Sequence, residues 1–258
     1  MSLGNLNFND LLIFLLVLLR TGALMMSLPV FSSPAIPPLA WAGLVLSTSL
    51  LLTPVVPVDP ARFPANLPSY ALLGVGEIMI GGILGLSVNM IFTAVQIMGQ
   101  LAGFQMGFAV ANVIDPLNGG QISVLSQFCY IISLLVLLGV GAHHWFFKAL
   151  ADSFTLVPPG DFSMSEGLYM QVMRIAADMF SLSLRIGAPV IGAMLLTKVA
   201  MGILAKTVPQ MNILIVGFPL FIGVGLIFLS LTLTVMVPIL AKTFDQLGPV
   251  LAGLLKAM

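Results

Sequence analysis

The residues most able to perform chemistry in this sequence are two histidines and one cysteine. His143 and His144 are adjacent, so they project from different faces of a helix and make a poor pair of metal ligands. Cys129 lies in an apolar run and is expected to pack as a small hydrophobic side chain. No HExxH zinc motif, GxSxG nucleophile motif or glycine-rich phosphate loop ending in lysine occurs in the chain. The sequence therefore predicts a protein that is not an enzyme and uses no metal or cofactor.

A second group of polar residues forms a stripe near residue 180. Its members are three or four residues apart, which places them on one face of a helix; they are Gln171, Arg174, Asp178, Ser181 and Arg185. Charges inside an apolar span are costly in lipid and should face protein or water. The stripe is interpreted either as an aqueous conduit or polar subunit interface, or as a structural ion pair between Arg174 and Asp178. The sequence leaves both interpretations open.

Arg20 and Glu77 are each the lone charge in an apolar run. Because an isolated charge in such a run needs a partner, we hypothesise that the two side chains pair with each other. The pair would fix the first apolar run to the third.

A glycine row leads into a turn signal between residues 99 and 120. Gly99, Gly103 and Gly107 recur every fourth residue, and such a row lets two helix backbones approach closely in lipid. The segment then breaks at Asp115-Pro116 and continues through the turn residues 118–120. Irregular backbone at membrane depth is tolerated only against protein or a water-filled cavity. A pore-lining role and an ordinary extramembrane loop therefore remain alternatives.

The composition of the chain is that of a membrane protein. Hydrophobic residues make up 59% of the 258 residues and charged residues 7%, whereas a soluble domain carries roughly 25% charged residues. Nine basic and nine acidic residues give no net charge, so the electrostatic footprint of a nucleic-acid-binding protein is missing. We expect an all-α membrane protein whose natural solvent is lipid or the apolar flanks of other subunits.

About six apolar helical segments are expected to position these residues. Crossing a ~30 Å hydrocarbon core takes about 20 helical residues, and the runs of suitable length are 11–28, 39–56, 70–98, 122–142, 172–196 and 213–240. They are continuously apolar, unlike the alternating strands of a membrane barrel. The stretches 99–121 and 143–171 are assigned as links. A short amphipathic helix, interfacial or docked on a partner, is predicted near the end, with one apolar face formed by Leu247, Val250, Leu251, Leu254 and Leu255.

Several stretches resemble the FliR family, known in injectisomes as the SctT family. RTGALMMSLPVFSSPAIPP at 20–38 is similar to that family's first helix and proline-rich turn, and GQLAGFQMGFAVANVIDP at 99–116 is similar to its glycine-rich segment. DSFTLVPPG at 152–160 and VPQMNILIVGFPL at 208–220 complete the pattern, the latter in a form that looks flagellar. The doubled histidine at 143–144 departs from the family's expected Gly-His or Asn-His pair.

The resemblance implies a subunit of the flagellar type III protein export gate in the bacterial inner membrane, within the flagellar basal body. FliP and FliQ would join it to form the pore for unfolded export substrates, with FlhB and FlhA as further partners, membrane lipid around it and no nucleic acid. The family fold consists of helical hairpins stacked in a spiral. The whole chain, 1–258, would be a single FliR-like membrane domain, with a FliP-like part over roughly 1–200 and a FliQ-like part over 201–258.

The resemblance also implies positions for the gate. A pore plug would lie near 106–121, with Met106, Gly107, Phe108, Asn112, Asp115 and Pro116, and the second motif would contribute Pro209, Gln210 and Asn212. The alternatives are an injectisome export-gate subunit, a scaffold for other membrane proteins, or a small-molecule secondary transporter. A transporter would require discontinuous helices in matched halves, and the chain has no second half that matches the polar stripe.

Overall fold

A computed structural model of the chain describes residues 8–32, 36–56, 67–108, 123–208, 210 and 212–258. Within these ranges the regular structure is helical. The α-helices are α1 (Phe8–Ser27), α2 (Pro38–Leu52), α3 (Leu67–Met106), α4 (Val124–Val140), α5 (His143–Leu156), α6 (Glu166–Thr207), α7 (Ile213–Asp245) and α8 (Leu247–Ala257), and a single 3-10 turn, Thr53–Val55, follows α2.

The helices confirm an all-α membrane protein with about six apolar segments. Five of the described helices are long and apolar enough to cross a membrane, and the bent pair of α4 and α5 raises the number to six if it counts as one broken span. The sixth predicted run, 213–240, agrees closely with α7, whose observed bounds are Ile213–Asp245.

Two helices are much longer than their predicted apolar runs. The third run was predicted over 70–98 and the fifth over 172–196, but α3 has 40 residues and α6 has 42. Hydropathy detects only the part of a helix that is apolar, whereas the backbone hydrogen bonds continue through polar residues at either end. Residues 99–106, assigned to a link, therefore belong to α3.

The predicted link 143–171 is wrong over most of its length, because it contains α5 and the first residues of α6, which begins at Glu166. Polar residues make this stretch look like a loop in a hydropathy window. Its apolar residues nevertheless follow helical spacing, and the buried side chains are Phe146, Ala149, Leu150, Ser153 and Phe154.

The first of two compact units comprises residues 1–90, 141–176 and 245–258. In this unit α1 packs against α3 at Gly81 and Gly85, where an added Cβ atom would collide with the backbone of α1. The amphipathic helix α8 packs on α5 rather than remaining unpartnered; Leu251 and Leu254 are buried, whereas Val250 is 40% exposed. The C-terminus is further held by Ser163, whose hydroxyl donates to the carbonyl of Met258 at 2.7 Å.

The second compact unit comprises residues 91–140 and 177–244. Phe92 is fully buried in this unit, and its ring centroid lies 5.8 Å from that of Tyr130 and 5.7 Å from that of Phe244. Five methionines are also buried in this unit: Met98, Met106, Met194, Met201 and Met236. Flexible thioether side chains therefore form a large share of its interior.

Candidate functional site

The C-terminal end of α3 is fixed by a Schellman motif. The amide of Phe108 donates to the carbonyl of Gly103 at 3.1 Å, and the amide of Gly107 donates to the carbonyl of Phe104 at 3.2 Å. Gly107 has φ +91°, a left-handed conformation that glycine adopts without strain. Gly107 therefore ends the helix instead of continuing the glycine row, and the helical part of that row consists of Gly99 and Gly103.

Those two glycines make the close contact between α3 and α4. A Cβ atom at Gly99 would lie 2.6 Å from Cα of Ser126, and one at Gly103 would lie 2.7 Å from Oγ of Ser123. The Ser126 hydroxyl also donates to the carbonyl of Gln96 at 3.0 Å. Because Ser123 directly precedes α4, this contact holds together the two ends of the segment 109–122.

Helix α7 packs against the same C-terminal end of α3. Met106 is fully buried and packs directly on Gly225 of α7. A Cβ atom at Gly107 would lie 3.0 Å from the ring of Phe218. Gly107 and Phe218 belong to the glycine-rich stretch and to the VGFPL stretch, so the structure joins two motifs that are more than one hundred residues apart in the chain.

Of the remaining plug residues, Phe108 is 40% exposed. Asn112, Asp115 and Pro116 lie outside the described residues. Lys198 of α6 donates a hydrogen bond to the side-chain carbonyl of Gln105, one residue before Met106. The end of α3 is thus held by α4, by α7 and by the part of α6 that belongs to the second unit.

The second motif lies at the start of α7. Gln210 is exposed, and Asn212 directly precedes α7. The Oδ1 atom of Asn212 accepts from the amide of Ile215 at 3.4 Å, as an N-cap residue does. Pro209 lies outside the described residues.

The polar stripe lies along α6. Arg174, Asp178, Ser181 and Arg185 are exposed, whereas Gln171 is half-buried. The side-chain amide oxygen of Gln171 would lie 3.7 Å from a Cβ atom added at Gly253 of α8. Within the part of the chain that the structure describes, Arg174 and Asp178 form no salt bridge. The exposed members of the stripe are therefore available to a partner or to water.

The hypothesis that Arg20 pairs with Glu77 is confirmed. The Nε atom of Arg20 donates to a carboxylate oxygen of Glu77 at 2.6 Å, and both side chains are almost fully buried. Arg20 also donates to the carbonyls of Ser153 at 2.8 Å and Val157 at 3.0 Å, and its guanidinium lies 4.3 Å from the ring centroid of Phe154.

Arg20 thereby joins α1 and α3 to the C-terminal end of α5. The carbonyls at that end lack helical partners and carry partial negative charge, so a cation satisfies them. Two of the partners of Arg20 are main-chain carbonyls, and because every residue has such a carbonyl, the residue types could not predict these contacts. Arg20 nevertheless lies in the motif stretch 20–38, and Ser153 and Val157 lie in the stretch 152–160. The structure brings these two stretches together in the first unit.

The histidines lie at the first turn of α5. Their rings are tilted with centroids 4.2 Å apart. No group of three or more potential metal ligands occurs among the described residues. Cys129 is buried in α4, as expected of a small hydrophobic residue.

Comparison with known proteins identifies relatives over nearly the whole chain. Residues 11–247 match the model of the family described as bacterial export proteins, family 1. The chain is 33% identical to the flagellar biosynthetic protein FliR of Bacillus subtilis (strain 168) over 236 residues, covering 90% of each chain. It is 32% identical to the FliR protein of Pectobacterium carotovorum over 240 residues, covering 92% of this chain and 90% of the relative. The FliR protein of Escherichia coli K12 is 26% identical over 245 residues, covering 93% and 92%.

Proposed function

Because this chain belongs to the bacterial export proteins, family 1, we propose that it is the FliR-type subunit of a flagellar type III protein export gate. The relatives that it matches over about 90% of both chains are named flagellar biosynthetic proteins, which supports a flagellar role. The protein would lie in the bacterial inner membrane at the flagellar basal body. It would contribute to a path for unfolded flagellar proteins and perform no covalent chemistry.

The gate would be assembled with FliP and FliQ, and FlhB and FlhA would associate with it. The exposure of the apolar helices supports an assembly of this kind. Only 11% of the apolar span that begins with α2 is buried within the chain, and only 22% of the apolar spans formed by α6 and α7. These faces must be covered by lipid or by other subunits. In the proposed assembly, residues 1–200 take the FliP-like part of a spiral of helical hairpins and residues 201–258 the FliQ-like part.

The segment near 106–121 is proposed as the pore plug, including Met106, Gly107, Phe108, Asn112, Asp115 and Pro116. The observation that carries this proposal is the packing of the residues at the two ends of the segment against each other and against α7. Gly103, before the segment, meets Ser123, after it, and Gly107 at the start of the segment meets Phe218 of α7. Fixed ends of this kind would let the proposed plug obstruct a path and return to the same position.

Buried methionines support a site that accommodates a passing chain. Three glycines of α6 and α7 each face a methionine: Gly187 faces Met98, Gly217 faces Met201 and Gly225 faces Met106. Methionine has three rotatable bonds and packs adaptably. The interior beside the proposed plug can therefore repack around different side chains.

The proposed function is tested by deleting the gene in frame and restoring it from a plasmid. We expect loss of motility and of hook and filament proteins from the medium, with recovery of both on complementation. Normal motility with loss of injected effector proteins would move the protein to an injectisome, and intact function of both systems would contradict an export role.

The plug is tested by shortening the segment 110–120. We expect increased ion conductance of the cytoplasmic membrane, because the obstruction is lost while the helices remain. Replacing the same residues by an equal number of glycines and serines separates the effect of length from that of the side chains. Unchanged conductance with normal export in the shortened variant would contradict the plug.

A further inference from the structure

A cleft of about 280 Å³ lies between α5 and α8 in the first unit. One wall is formed by Trp145, Lys148 and Asp152 of α5, and the other by small and apolar residues of α8, which include Gly248 and Leu255. This volume is just below the ~300 Å³ at which pockets for drug-sized ligands begin. The cleft suits a small polar group better than a whole lipid or a peptide.

The indole of Trp145 is held in the wall of the cleft by a glycine. A Cβ atom at Gly248 would lie 2.7 Å from Cε3 of the Trp145 ring, so the close packing of the indole on α8 requires glycine there. The ammonium of Lys148 lies 5.3 Å from the centroid of the same ring. An indole and a lysine side by side are typical of the boundary between a membrane and water.

The cleft carries one positive and one negative charge, one helical turn apart. Lys148 and Asp152 are four residues apart on α5, and both are exposed. Within the described part of the chain they form no salt bridge with each other or with another residue. A cation and an anion are therefore both free to bind a ligand that carries the complementary charges on a short linker.

We propose that this cleft binds the headgroup of a phospholipid with a primary amine, of the phosphatidylethanolamine class. Lys148 would donate to the phosphate, and Asp152 would accept from the primary ammonium. The apolar surface beside Leu255 would contact the start of an acyl chain. Anionic phosphatidylglycerol would satisfy Lys148 but place an uncompensated negative charge near Asp152. Phosphatidylcholine has no N–H group to donate. The proposal requires a membrane protein but not the proposed export function.

Native mass spectrometry of the full chain purified in detergent tests this proposal. The protein is titrated with phosphatidylethanolamine, phosphatidylglycerol, phosphatidylcholine or free phosphoethanolamine, and the bound fraction is compared. We expect phosphatidylethanolamine to bind most tightly. Equal binding of phosphatidylethanolamine and phosphatidylglycerol would overturn the proposal. Binding of free phosphoethanolamine as tight as that of the lipid would also overturn it, because the ligand would then be a soluble compound.

Two variants separate the contributions of the charges. Lys148→Gln should weaken binding of both phosphatidylethanolamine and phosphatidylglycerol about tenfold, the loss of one charge-assisted hydrogen bond. Asp152→Asn should weaken phosphatidylethanolamine alone and so remove the preference between the two lipids. Lys256→Gln, an exposed lysine on α8 outside the cleft, is the matched control and should bind like the wild type. Wild-type binding by the Lys148 and Asp152 variants would overturn the proposal.

Discussion

At the scale of single residues, Gly107 has two independent requirements for glycine. Its φ of +91° is strained for any residue with a Cβ atom. A Cβ atom would also lie 3.0 Å from the ring of Phe218. Both requirements arise where α3 ends and the proposed plug begins, so the residue determines the direction in which the following segment leaves the helix.

We predict that Gly107→Ala destabilises the protein by roughly 1–3 kcal/mol, the usual range for strain at such a position, and reduces motility. Thermal unfolding in detergent and swimming in soft agar measure the two effects. The matched control is Gly223→Ala in α7, where a Cβ atom meets nothing within 4 Å. Alanine should stabilise that helix by up to about 1 kcal/mol. Equal stability of the Gly107 and Gly223 variants would contradict the assigned role of Gly107.

Arg20 is the second residue whose contacts determine local architecture. It is fully buried and donates to Glu77, Ser153 and Val157. A buried ion pair is not by itself strongly stabilising, because desolvation of both charges opposes their attraction. Removing one partner is costly, since the other charge stays buried without compensation.

Arg20→Ala is expected to lower the free energy of unfolding by roughly 3–5 kcal/mol. The double variant Arg20→Met with Glu77→Leu should lower the free energy of unfolding by less than the sum of the effects of Arg20→Met and Glu77→Leu made singly. Arg20→Lys should not rescue stability, because an ammonium cannot reproduce the fork of donors that reaches the carboxylate and two carbonyls. Titration with SDS in mixed micelles gives these values. Additive effects of the two single substitutions would show that Arg20 and Glu77 are not coupled.

At the scale of secondary-structure elements, α6 carries charges that nothing in the described chain neutralises. Arg174, Asp178 and Arg185 are exposed along this helix and take part in no salt bridge among the described residues. Apolar side chains are exposed on the same helix, including Leu195 and Leu196. The interpretation of the stripe as a structural ion pair within the chain thus loses support, and a polar subunit interface or water-facing conduit is favoured.

Arg185→Glu is predicted to abolish motility without changing the stability of the isolated chain. The side chain is exposed, so its replacement removes no internal contact, but it reverses the charge presented to a partner. Co-purification with FliP and FliQ is the direct measurement, and it should be lost. Lys206→Glu, in the last turn of the same helix and outside the stripe, should retain co-purification. Retention by the Arg185 variant as well would contradict the interface.

The elements show how far a sequence of this kind can be interpreted. The apolar runs were found because burial in lipid requires long continuous hydrophobic stretches. Helix α5 was missed because its pattern is amphipathic and mixed with polar residues. The end of α3 is predicted too early, at residue 98 instead of Met106, since a hydropathy window registers apolar content and not a backbone that stays helical through a glycine-rich segment. Gly107 acts through its left-handed backbone and two hydrogen bonds, which hydropathy does not register.

Side-chain pairing was predictable in one case for a general reason. Arg20 and Glu77 were each alone in an apolar run, and opposite buried charges have few possible partners. The contacts between Gly107 and Phe218 and between Gly103 and Ser123 involve residues without such a constraint. Their positions depend on how helices pack, so residue type and spacing could not specify them.

At the scale of the whole molecule, each compact unit contains a contact between two motif stretches that are far apart in the chain. In the first unit Arg20 from the stretch 20–38 contacts Ser153 and Val157 from 152–160. In the second unit Gly107 from 99–116 meets Phe218 from 208–220. The stretches that resemble the family therefore contribute contacts between helices within each unit. The broad apolar faces of α2, α6 and α7 carry far fewer internal contacts and remain for lipid and partners.

This division between internal contacts and open faces predicts how the protein behaves without its partners. Expressed alone, the chain should accumulate in the membrane fraction several-fold less than when FliP and FliQ are co-expressed. Covering the exposed faces stabilises the folded chain, and about 1–2 kcal/mol is enough to change cellular abundance several-fold. Quantitative immunoblotting after a translation block measures the effect. An unrelated membrane protein of similar size, co-expressed at the same level, should give no increase. Arg185→Glu should lose the increase, because its exposed charge no longer fits the partners. If abundance is the same with and without FliP and FliQ, lipid alone covers these faces and the proposed assembly is contradicted.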